Sequence, residues 1–509
     1  MFHAQRNMLA LSAILLGAPN ALAAFTEAIA PVLGPPTSKV TVTGTGFAPD
    51  AAVDVFFDTT DLCLSFASAA GAVSCVITVP ANAKPQNHWI SLRQQSTRTG
   101  VQKAYTVRTD MPQFHGRNAA HSGVNPYENT LNVSNVADLD TLWQAPIGGA
   151  SFVSPVVAGG RVYAAGRDGK LYAFIAATGG PVAGFPVLAS PAGITGPSVG
   201  NGRVFVGSYD HKLHAYHQNT GAAVSGFPIT LPSTIIGPPS LALGNVYVGC
   251  ADGNIYGFNA TTGLAVSGFP VTTTASSHIF GSPTIAGGRL YIGSDNGKIY
   301  AFDAVNGTPI PGYPLITGGV VSTVAAASGM GVVGSLDTKI YGFNLASGHF
   351  LSGFPMPTGY IVDSSPAIAG DKVFTGSRDA NVYAEFTSGS SAWITTLDDS
   401  IYGSPMVANG VVYINSDFRL YALSAATGAV RWSAAVEALY GGLNSPVIDD
   451  GIVYLTSTDG NIYAFSLKGL PPAARLPGGA AGLRPNIATL KPDSALKPGQ
   501  PALPPQVEE

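Results

Sequence analysis

The sequence predicts an all-β protein, an eight-bladed β-propeller of four-stranded blades that is closed by an N-terminal strand and preceded by a small β-sandwich. Composition is the first observation: only 11% of the 509 residues are charged, whereas 62 are Gly and 38 are Pro. This balance is typical of short strands joined by tight turns. The other two observations are an eightfold internal repeat and a strand-like segment upstream of it.

The repeat is marked by an Asp that precedes an apolar strand, as in the run from Asp168 to Phe174. The marker residues are Asp168, Asp210, Asp252, Asp295, Asp337, Asp379, Asp417 and Asp459. They lie 42, 42, 43, 42, 42, 38 and 42 positions apart. A four-stranded unit of roughly 42 residues has the size of a propeller blade, so eight units predict eight blades.

The third strand of each unit is apolar at both alternating sets of positions, which predicts burial on both of its faces. The fourth strand of each of the first seven units carries one aromatic residue at an equivalent position: Phe185, Phe227, Phe269, Tyr313, Phe354, Trp393 and Trp432. The eighth unit ends at Gly469 without such a strand. Residues 142–147, which contain Trp143, have the same character. We expect them to pair with the last blade and to close the ring without a free sheet edge.

Outside the propeller at residues 142–469, the sequence predicts four further segments. Residues 1–23 contain Arg6, an apolar run and Ala21-Leu-Ala23, which is typical of a secretory signal. Residues 24–110 alternate apolar and polar positions, as in a β-sandwich. Residues 111–141 form a lead-in. Residues 470–509 contain nine prolines and no aromatic residue, which predicts a disordered tail.

Charge and cysteine content limit the possible functions. The formal charge is −4 and no cluster of Lys and Arg offers a surface for nucleic acid. No stretch after the signal is long and apolar enough to span a membrane. We therefore expect a secreted or periplasmic monomer. In such an oxidising compartment we expect a cross-strand disulfide between Cys63 and Cys75. The third cysteine, Cys250, is interpreted as a buried thiol.

Residues 154–160, 168–173 and 177–179, with the lead-in segment 114–123, resemble the pyrroloquinoline-quinone (PQQ)-type propeller repeat. This fold is shared by quinoprotein alcohol dehydrogenases and by the propeller lipoprotein of the outer-membrane assembly machinery. Residues 44–49 are similar to the immunoglobulin-like modules of exported bacterial proteins. The enzymes have two adjacent cysteines and often a Cys-x-x-Cys-His haem site, and this sequence has neither.

A binding site is expected in the loops that precede the first strand of each blade. In the last three blades these loops contain the candidate residues Asp363, Asp399, Tyr402 and Asn444, whereas the earlier loops are mainly apolar. The pattern predicts a funnel that is acidic on one side. For the enzymatic alternative, the resemblance implies a calcium ion held by Asp363, Asp399, Glu437 and Asn444.

Other polar residues are interpreted structurally. His214 stands in a column of tyrosines, so it is a core substitution, although its neighbours His211 and His217 suggest a metal cluster at first sight. The repeated Asp residues favour hairpin geometry rather than calcium binding. Glu385 occupies a column of phenylalanines, and we expect a register slip that brings Phe386 inward.

These observations predict an exported, non-catalytic module that binds or scaffolds a protein or glycan partner, with no catalytic residue, metal or cofactor. The alternative is a PQQ- and calcium-dependent oxidoreductase that uses the funnel around Asp363 and Asp399.

Overall fold

The computed structural model describes residues 24–274, 277–436, 444–468, 484–493 and 496. The predicted signal at residues 1–23, most of the predicted tail and Glu437 lie outside the described residues. Within them the chain is all-β, with two single-turn 3-10 helices at Val136–Asp138 and Ile487–Thr489. No helix in this described part is long and apolar enough to cross a membrane.

The N-terminal part consists of two packed sheets. Its strands are β1 (Thr26–Ala30), β2 (Leu33–Gly34), β3 (Lys39–Thr45), β4 (Ala52–Phe57), β5 (Thr60–Phe66), β6 (Val73–Thr78), β7 (Asn87–Gln94) and β8 (Gly100–Val107). One sheet has the order β1-β3-β6 and the other β2-β8-β7-β4-β5. Val40, Val55, Ile77 and Leu92 are buried between them, because apolar residues alternate along each strand.

The structure joins Cys63 and Cys75 in a disulfide. Cys63 lies on β5 and Cys75 on β6, which belong to different sheets. The bond therefore ties the two sheets together, whereas the sequence suggested a cross-strand bond between neighbouring strands. Sequence spacing alone does not distinguish these arrangements, because β5 and β6 follow each other closely in either case.

The lead-in contains β9 (Val124–Asn125), and β10 (Leu139–Pro146) follows it. The first four repeats contain β11 (Val156–Ala158), β12 (Arg161–Ala165), β13 (Lys170–Ile175), β14 (Val187–Leu188), β15 (Ser198–Gly200), β16 (Arg203–Gly207), β17 (Lys212–His217), β18 (Ile229–Thr230), β19 (Ser240–Ala242), β20 (Asn245–Gly249), β21 (Asn254–Asn259), β22 (Val271–Thr272), β23 (Thr284–Ala286), β24 (Arg289–Ser294), β25 (Lys298–Asp303) and β26 (Leu315–Ile316). The remaining repeats contain β27 (Ala325–Ala327), β28 (Met330–Gly334), β29 (Lys339–Asn344), β30 (Met356–Pro357), β31 (Ala367–Ala369), β32 (Lys372–Gly376), β33 (Asn381–Phe386), β34 (Ser391–Thr396), β35 (Met406–Ala408), β36 (Val411–Asn415), β37 (Arg419–Ser424), β38 (Val430–Ala435), β39 (Val447–Asp449), β40 (Ile452–Thr456) and β41 (Asn461–Leu467).

Each of the first seven repeats forms an antiparallel sheet of four consecutive strands, such as β11-β12-β13-β14. The sheet of β35 to β38 has β9 as an additional parallel strand beside β35. The last sheet has the order β10-β41-β40-β39, so its outer strand comes from before the first repeat. First strands of successive sheets contact each other, and β39 contacts β11. This succession of sheets is typical of a β-propeller.

The pairing of β10 with β41 runs antiparallel from Leu139 opposite Leu467 to Pro146 opposite Asn461. Trp143 on β10 is buried, and its indole Nε1–H donates to the carbonyl oxygen of Ala176 in the first repeat at 2.9 Å. Its ring also lies 5.9 Å from that of Tyr454 in the last sheet. One side chain therefore contacts both ends of the repeat array.

The marker aspartates stabilise the hairpin between the second and third strands. Asp168 Oδ1 accepts the Lys170 N–H at 3.1 Å, and its Oδ2 accepts the Tyr172 hydroxyl at 2.7 Å. The same Tyr-to-Asp hydrogen bond recurs in four further sheets, at Tyr256–Asp252, Tyr341–Asp337, Tyr383–Asp379 and Tyr463–Asp459. In the second sheet His214 takes the place of the tyrosine and is buried beside Tyr216.

The expected register slip at Glu385 is wrong. Glu385 pairs with Val373 and Phe386 with Lys372, the same register as Phe174 with Val162 and Ile175 with Arg161 in the first sheet. Glu385 is 2% exposed, and Phe386 remains at the half-buried outer position. The irregularity lies instead between β33 and β34, where the fourth strand is shifted. Three of the four missing residues are lost from that connection and one from the hairpin between β36 and β37, whereas the third strand keeps its length.

Part of the segment predicted to be a disordered tail packs against the sandwich. The Arg484 guanidinium lies 5.0 Å from the centre of the Trp89 ring, and its Nε donates to Gln102 Oε1 at 2.7 Å. Leu490 is buried. Composition misses this contact because a short proline-rich segment can bind in extended form to a surface formed elsewhere in the chain.

Candidate functional site

The lead-in contacts the first strand of every sheet in the repeat region. The backbone N–H of the middle residue of a first strand donates to the lead-in in seven pairs: Val157 to Met111, Val199 to Pro112, Leu241 to the Gln113 side chain, Ile285 to Ala119, Ala326 to Ala120, Ile368 to Ser122 and Val407 to Gly123. In the last sheet the Asn125 amide donates to the Ile448 carbonyl at 2.8 Å. The inner edges of the sheets are therefore satisfied by one segment.

Two buried histidines hold the lead-in in place. His115 Nε2 lies 2.6 Å from the Pro405 carbonyl oxygen, and His121 Nδ1 lies 2.6 Å from the Phe114 carbonyl oxygen. Burial lowers the pKa of both side chains to about 4, so they are neutral at physiological pH. Phe114, which belongs to this segment, lines a cavity between the repeats.

The cavity has a volume of about 340 Å³ and is lined by residues from seven of the repeats together with Phe114. Its lining includes Phe152, Val153, Ser154, Tyr209, Ile236, Pro238, Phe280, Gly281, Val321, Ser322, Thr323, Leu336, Asp363, Ser365, Arg378, Tyr402 and Ser404. We call this cavity the funnel. The lead-in contributes Phe114 to its lining and bonds to the first strand of each sheet around it.

Hydroxyl groups that lie just before the first strands link adjacent sheets by hydrogen bonds, and we call this set of hydroxyls the neck of the funnel. Five backbone N–H groups donate to the hydroxyl of the next repeat: Ser282 to Thr323, Thr323 to Ser365, Ser365 to Ser404, Ser404 to Ser445 and Ser445 to Ser154. The distances between N and O are 2.7–2.9 Å. Gly196 and Pro238 occupy the same position in the second and third repeats. They carry no hydroxyl, so this series of hydrogen bonds is interrupted there.

Most of the funnel wall is apolar and partly exposed. Phe152, Tyr209, Phe280 and Leu336 come from four different repeats and are 37–45% exposed. Exposed large apolar residues are ordinary when they are scattered, whereas these four line one cavity.

The two charged residues of the described lining, Asp363 and Arg378, both belong to the sixth repeat. Arg378 Nε donates to Asp363 Oδ2 at 2.5 Å, and its guanidinium lies 4.7 Å from the centre of the Tyr402 ring. Burial raises the pKa of Asp363, while the Arg378 charge opposes that rise. The Asp363 side chain is 5% exposed, whereas that of Arg378 is 33% exposed. Asp363 and Arg378 therefore form an ion pair of no net charge.

The structure brings two of the four predicted ligand-binding residues, Asp363 and Tyr402, together in the funnel. Asp399 is absent from the described lining, and its Oδ1 accepts the N–H of Ser400 at 2.6 Å. Asn444 is buried away from the funnel, where its Oδ1 accepts the Asn415 amide at 3.2 Å and its amide donates to the Thr456 carbonyl. Asn444 thus links two neighbouring sheets.

Sequence reasoning missed Arg378, Tyr209 and Leu336. All three stand immediately before the marker Asp of their repeat. The marker Asp is the same in all eight repeats, whereas the residue before it varies. This variation is the feature of the sequence that could have identified these three residues. Phe114 gave no such signal, because its position depends on how the lead-in crosses the ring.

The described residues do not fit the calcium and quinone of the enzymatic alternative. Of the proposed ligands, Asp363 is bound to Arg378, Asn444 faces another sheet and Glu437 is not described. In the described part of the chain, no group of three His, Cys, Asp or Glu side chains could hold a metal ion. A quinone with three carboxylates also needs several cations, and the described funnel lining contains one, already paired.

Comparison with known proteins identifies relatives of the propeller region. A family model described as outer membrane protein assembly factor BamB matches residues 128–352, 268–384 and 337–469. No curated protein sequence matches the chain. The solved structure of BamB from Moraxella catarrhalis is 18% identical with a TM-score of 0.53, covering 65% of this chain and 99% of that one.

Two solved enzyme structures have similar scores. Quinohemoprotein alcohol dehydrogenase from Comamonas testosteroni is 16% identical with a TM-score of 0.57, over 71% of this chain and 81% of that one. A europium-containing methanol dehydrogenase is 13% identical with a TM-score of 0.55, over 71% and 98%. The resemblance to PQQ-type propellers is confirmed, and the fold alone does not choose between binding and catalysis.

Proposed function

Because the chain belongs to the family described as outer membrane protein assembly factor BamB, we propose that it is an exported, non-catalytic module that binds a protein or glycan partner at the mouth of the funnel. We call the partly exposed group of Phe152, Tyr209, Phe280 and Leu336 the mouth of the funnel, and this group is the observation that supports the proposal. Exposure of these large apolar side chains to water is unfavourable, and a partner that buried them would remove this cost.

The architecture proposed for this module is an eight-bladed ring preceded by an immunoglobulin-like sandwich. It is supported by the seven four-stranded sheets, by the eighth sheet that includes β9, and by the contact between β39 and β11. A ring closed by β10 is rigid, so the mouth residues of different blades keep fixed distances. Such preorganisation lowers the entropic cost of binding.

Export is part of the proposal. It is supported by the signal-like residues 1–23 and by the disulfide between Cys63 and Cys75, which is typical of proteins in oxidising compartments. The periplasm, the cell surface and the medium all meet this condition.

Site-specific photo-crosslinking tests the proposed surface. A photoreactive phenylalanine analogue replaces Phe280 at the mouth, and in a control protein it replaces Ile316, which is 75% exposed on the outer strand β26. Both proteins are incubated with the native envelope fraction and irradiated. We expect a discrete adduct from position 280 only. Equal adducts from both positions, or none from position 280, would show that the mouth is not the binding surface.

The oxidoreductase alternative has its own test. The purified protein is incubated with PQQ and calcium, and dye-linked oxidation of short alcohols is measured. We expect neither tight uptake of the quinone nor turnover, since the funnel lacks a fitting set of ligands. Tight uptake together with turnover would replace the binding proposal by the enzymatic one.

A further inference from the structure

We propose that the funnel is a pocket for one uncharged apolar side chain, aromatic or long aliphatic, presented by a polypeptide. This inference rests on the proposed function and names the chemistry of the partner. It favours a protein over a glycan, and it assigns the recognition to the wall of Phe152, Tyr209, Phe280 and Leu336.

The dimensions of the funnel suit a single inserted group. Its volume of about 340 Å³ lies at the lower end of the range of small-ligand pockets, which is roughly 300–1,000 Å³. The lead-in bonds to the first strand of every sheet and places Phe114 in the lining, so it obstructs the passage of a chain through the ring. A protruding side chain can enter from the mouth and bury the partly exposed aromatic wall.

The charge of the lining selects an uncharged group. The carboxylate of Asp363 and the guanidinium of Arg378 neutralise each other within the described lining. A charged ligand group would lose its hydration in the funnel without gaining an unpaired counter-ion, which is unfavourable. Arg378, stacked on Tyr402 and partly exposed, remains able to donate to a backbone carbonyl of the peptide.

The hydroxyl groups in the neck argue against a glycan. A sugar requires several free donors and acceptors, whereas the hydroxyls of Thr323, Ser365 and Ser404 already accept backbone N–H groups of neighbouring repeats. The Ser154 hydroxyl accepts the Ser445 N–H in the same way. Each of these hydroxyls keeps one hydrogen to donate and Asp363 Oδ1 has no partner, but most of the described funnel surface is apolar.

Ligand-observed NMR with short capped peptides tests this chemistry. Acetyl-Gly-X-Gly-amide peptides with X as Trp, Leu, Lys or Glu, and a chitin tetrasaccharide, are each mixed with the purified protein. Saturation transfer is expected at the side-chain protons of the Trp and Leu peptides and at neither the charged peptides nor the sugar. Transfer to the sugar but not to the peptides, or equal transfer to all four peptides, overturns the inference.

Two variants locate the binding. Leu336→Trp is expected to fill the funnel and weaken binding of the Trp and Leu peptides at least tenfold. Ile316→Trp, on the outer strand β26, is the matched control and is expected to leave binding unchanged. Thermal unfolding of both variants shows that they are folded, and because both sites are exposed we expect no loss of stability. Peptide binding that survives Leu336→Trp contradicts the pocket.

The same variants separate the two proposals. If the peptides do not bind but crosslinking from position 280 succeeds, the mouth is a partner surface and the side-chain pocket is wrong. If the peptides bind and Leu336→Trp abolishes that binding while crosslinking from position 280 fails, the pocket is right and the proposed partner surface is wrong.

Discussion

Glu385 is the residue where the sequence conflicts most with its surroundings. Its side chain is buried at a position that holds Phe174, Phe258 and Phe465 in other repeats, and its Oε2 has no hydrogen-bond partner. Burial raises its pKa to about 7, while a hydrogen bond to the Ser391 side chain opposes the rise. The folded protein therefore holds a proton at Glu385 that the unfolded chain releases above its ordinary pKa of 4.5.

We predict that Glu385→Leu stabilises the protein. Leu423 occupies the equivalent position in the next sheet, which has the same shift before its fourth strand, so the leucine fits this type of blade. Stability of the wild type falls as the pH rises from about 4.5 to 7, because the folded state binds the extra proton. The gain should be about 1–3 kcal/mol at pH 8 and smaller at pH 5. Denaturant unfolding at both pH values measures it, and an equal gain at both would contradict the ionisation argument.

At the residue scale, the sequence predicted the structural roles of single side chains better than it predicted their partners. The repeat alignment placed His214 and the marker aspartates in structural roles, and both occupy them. It could not give the partner of Asp363, because Arg378 lies 15 positions away and its side chain meets Asp363 only when the hairpin folds. Nor could it separate Asn444 from the funnel, since a polar residue before a first strand can face either the channel or the next sheet.

Among the elements, the lead-in has a larger role than a connection between domains. Gln113 shows how specific its contacts are: Oε1 accepts the Leu241 N–H at 2.9 Å, and Nε2 donates to the Leu241 carbonyl at 3.0 Å. One side chain thus imitates a neighbouring β-strand for the third repeat. The sequence predicted only a lead-in at residues 111–141 and not its contacts, because this pairing needs the completed ring.

We predict that Gln113→Ala destabilises the protein by about 1–3 kcal/mol, because it removes two hydrogen bonds from the half-buried backbone of Leu241. Amide hydrogen exchange should accelerate at Leu241 and much less at Ile285, which bonds to the Ala119 backbone. Gln113→Glu is the control, since it keeps one acceptor and should lose less protection. Unchanged exchange at Leu241 would show that this contact does not hold the edge strand.

A second element-scale feature is the junction between the sandwich and the lead-in. Thr109 Oγ1 lies 3.0 Å from Asp449 Oδ1 and 3.0 Å from Asp450 Oδ1, and it also accepts the Asp450 N–H. A hydroxyl has one hydrogen, so it cannot donate to both carboxylates. Burial raises the pKa of both acids, and the neighbouring charge of Asp110 adds to the effect while Arg108 opposes it.

We predict that Asp450→Asn stabilises the junction at high pH. The folded pair retains a proton that the unfolded chain releases above its ordinary pKa of 3.8, so wild-type stability falls as the pH rises above that value. The slope is at most about 1.4 kcal/mol per pH unit for one proton. Asn tolerates the φ of +50° at this position. Urea unfolding at pH 4 and pH 8 should give a larger gain at pH 8. Asp371→Asn, an exposed aspartate, is the control, and a gain independent of pH would contradict the proposal.

For the whole molecule, the decisive contact is the noncovalent seam between β10 and β41. In each of the other repeats the four consecutive strands are joined by short connections, with β9 added beside β35, whereas β10 replaces a fourth strand and is separated from β41 by the entire array. The sequence predicted this pairing from a missing strand at one end and an orphan strand at the other. It could not predict that Trp143 would also contact the first repeat through Ala176.

We predict that Trp143→Ala opens the ring more than it disturbs the core. Loss of a large buried aromatic side chain costs roughly 3–5 kcal/mol. The control is Trp393→Ala in β34, which removes a comparable indole whose Nε1–H donates to the Ala425 carbonyl at 3.1 Å. After Trp393→Ala the fourth strand stays tethered to β33 by a short turn, so local pairing persists. After Trp143→Ala nothing short holds β10 to β41. Amide exchange over Asn461–Leu467 should therefore accelerate far more than exchange over Asn381–Phe386 does in the control. Similar exchange in the two variants would mean that the seam is no weaker than a covalently continuous blade.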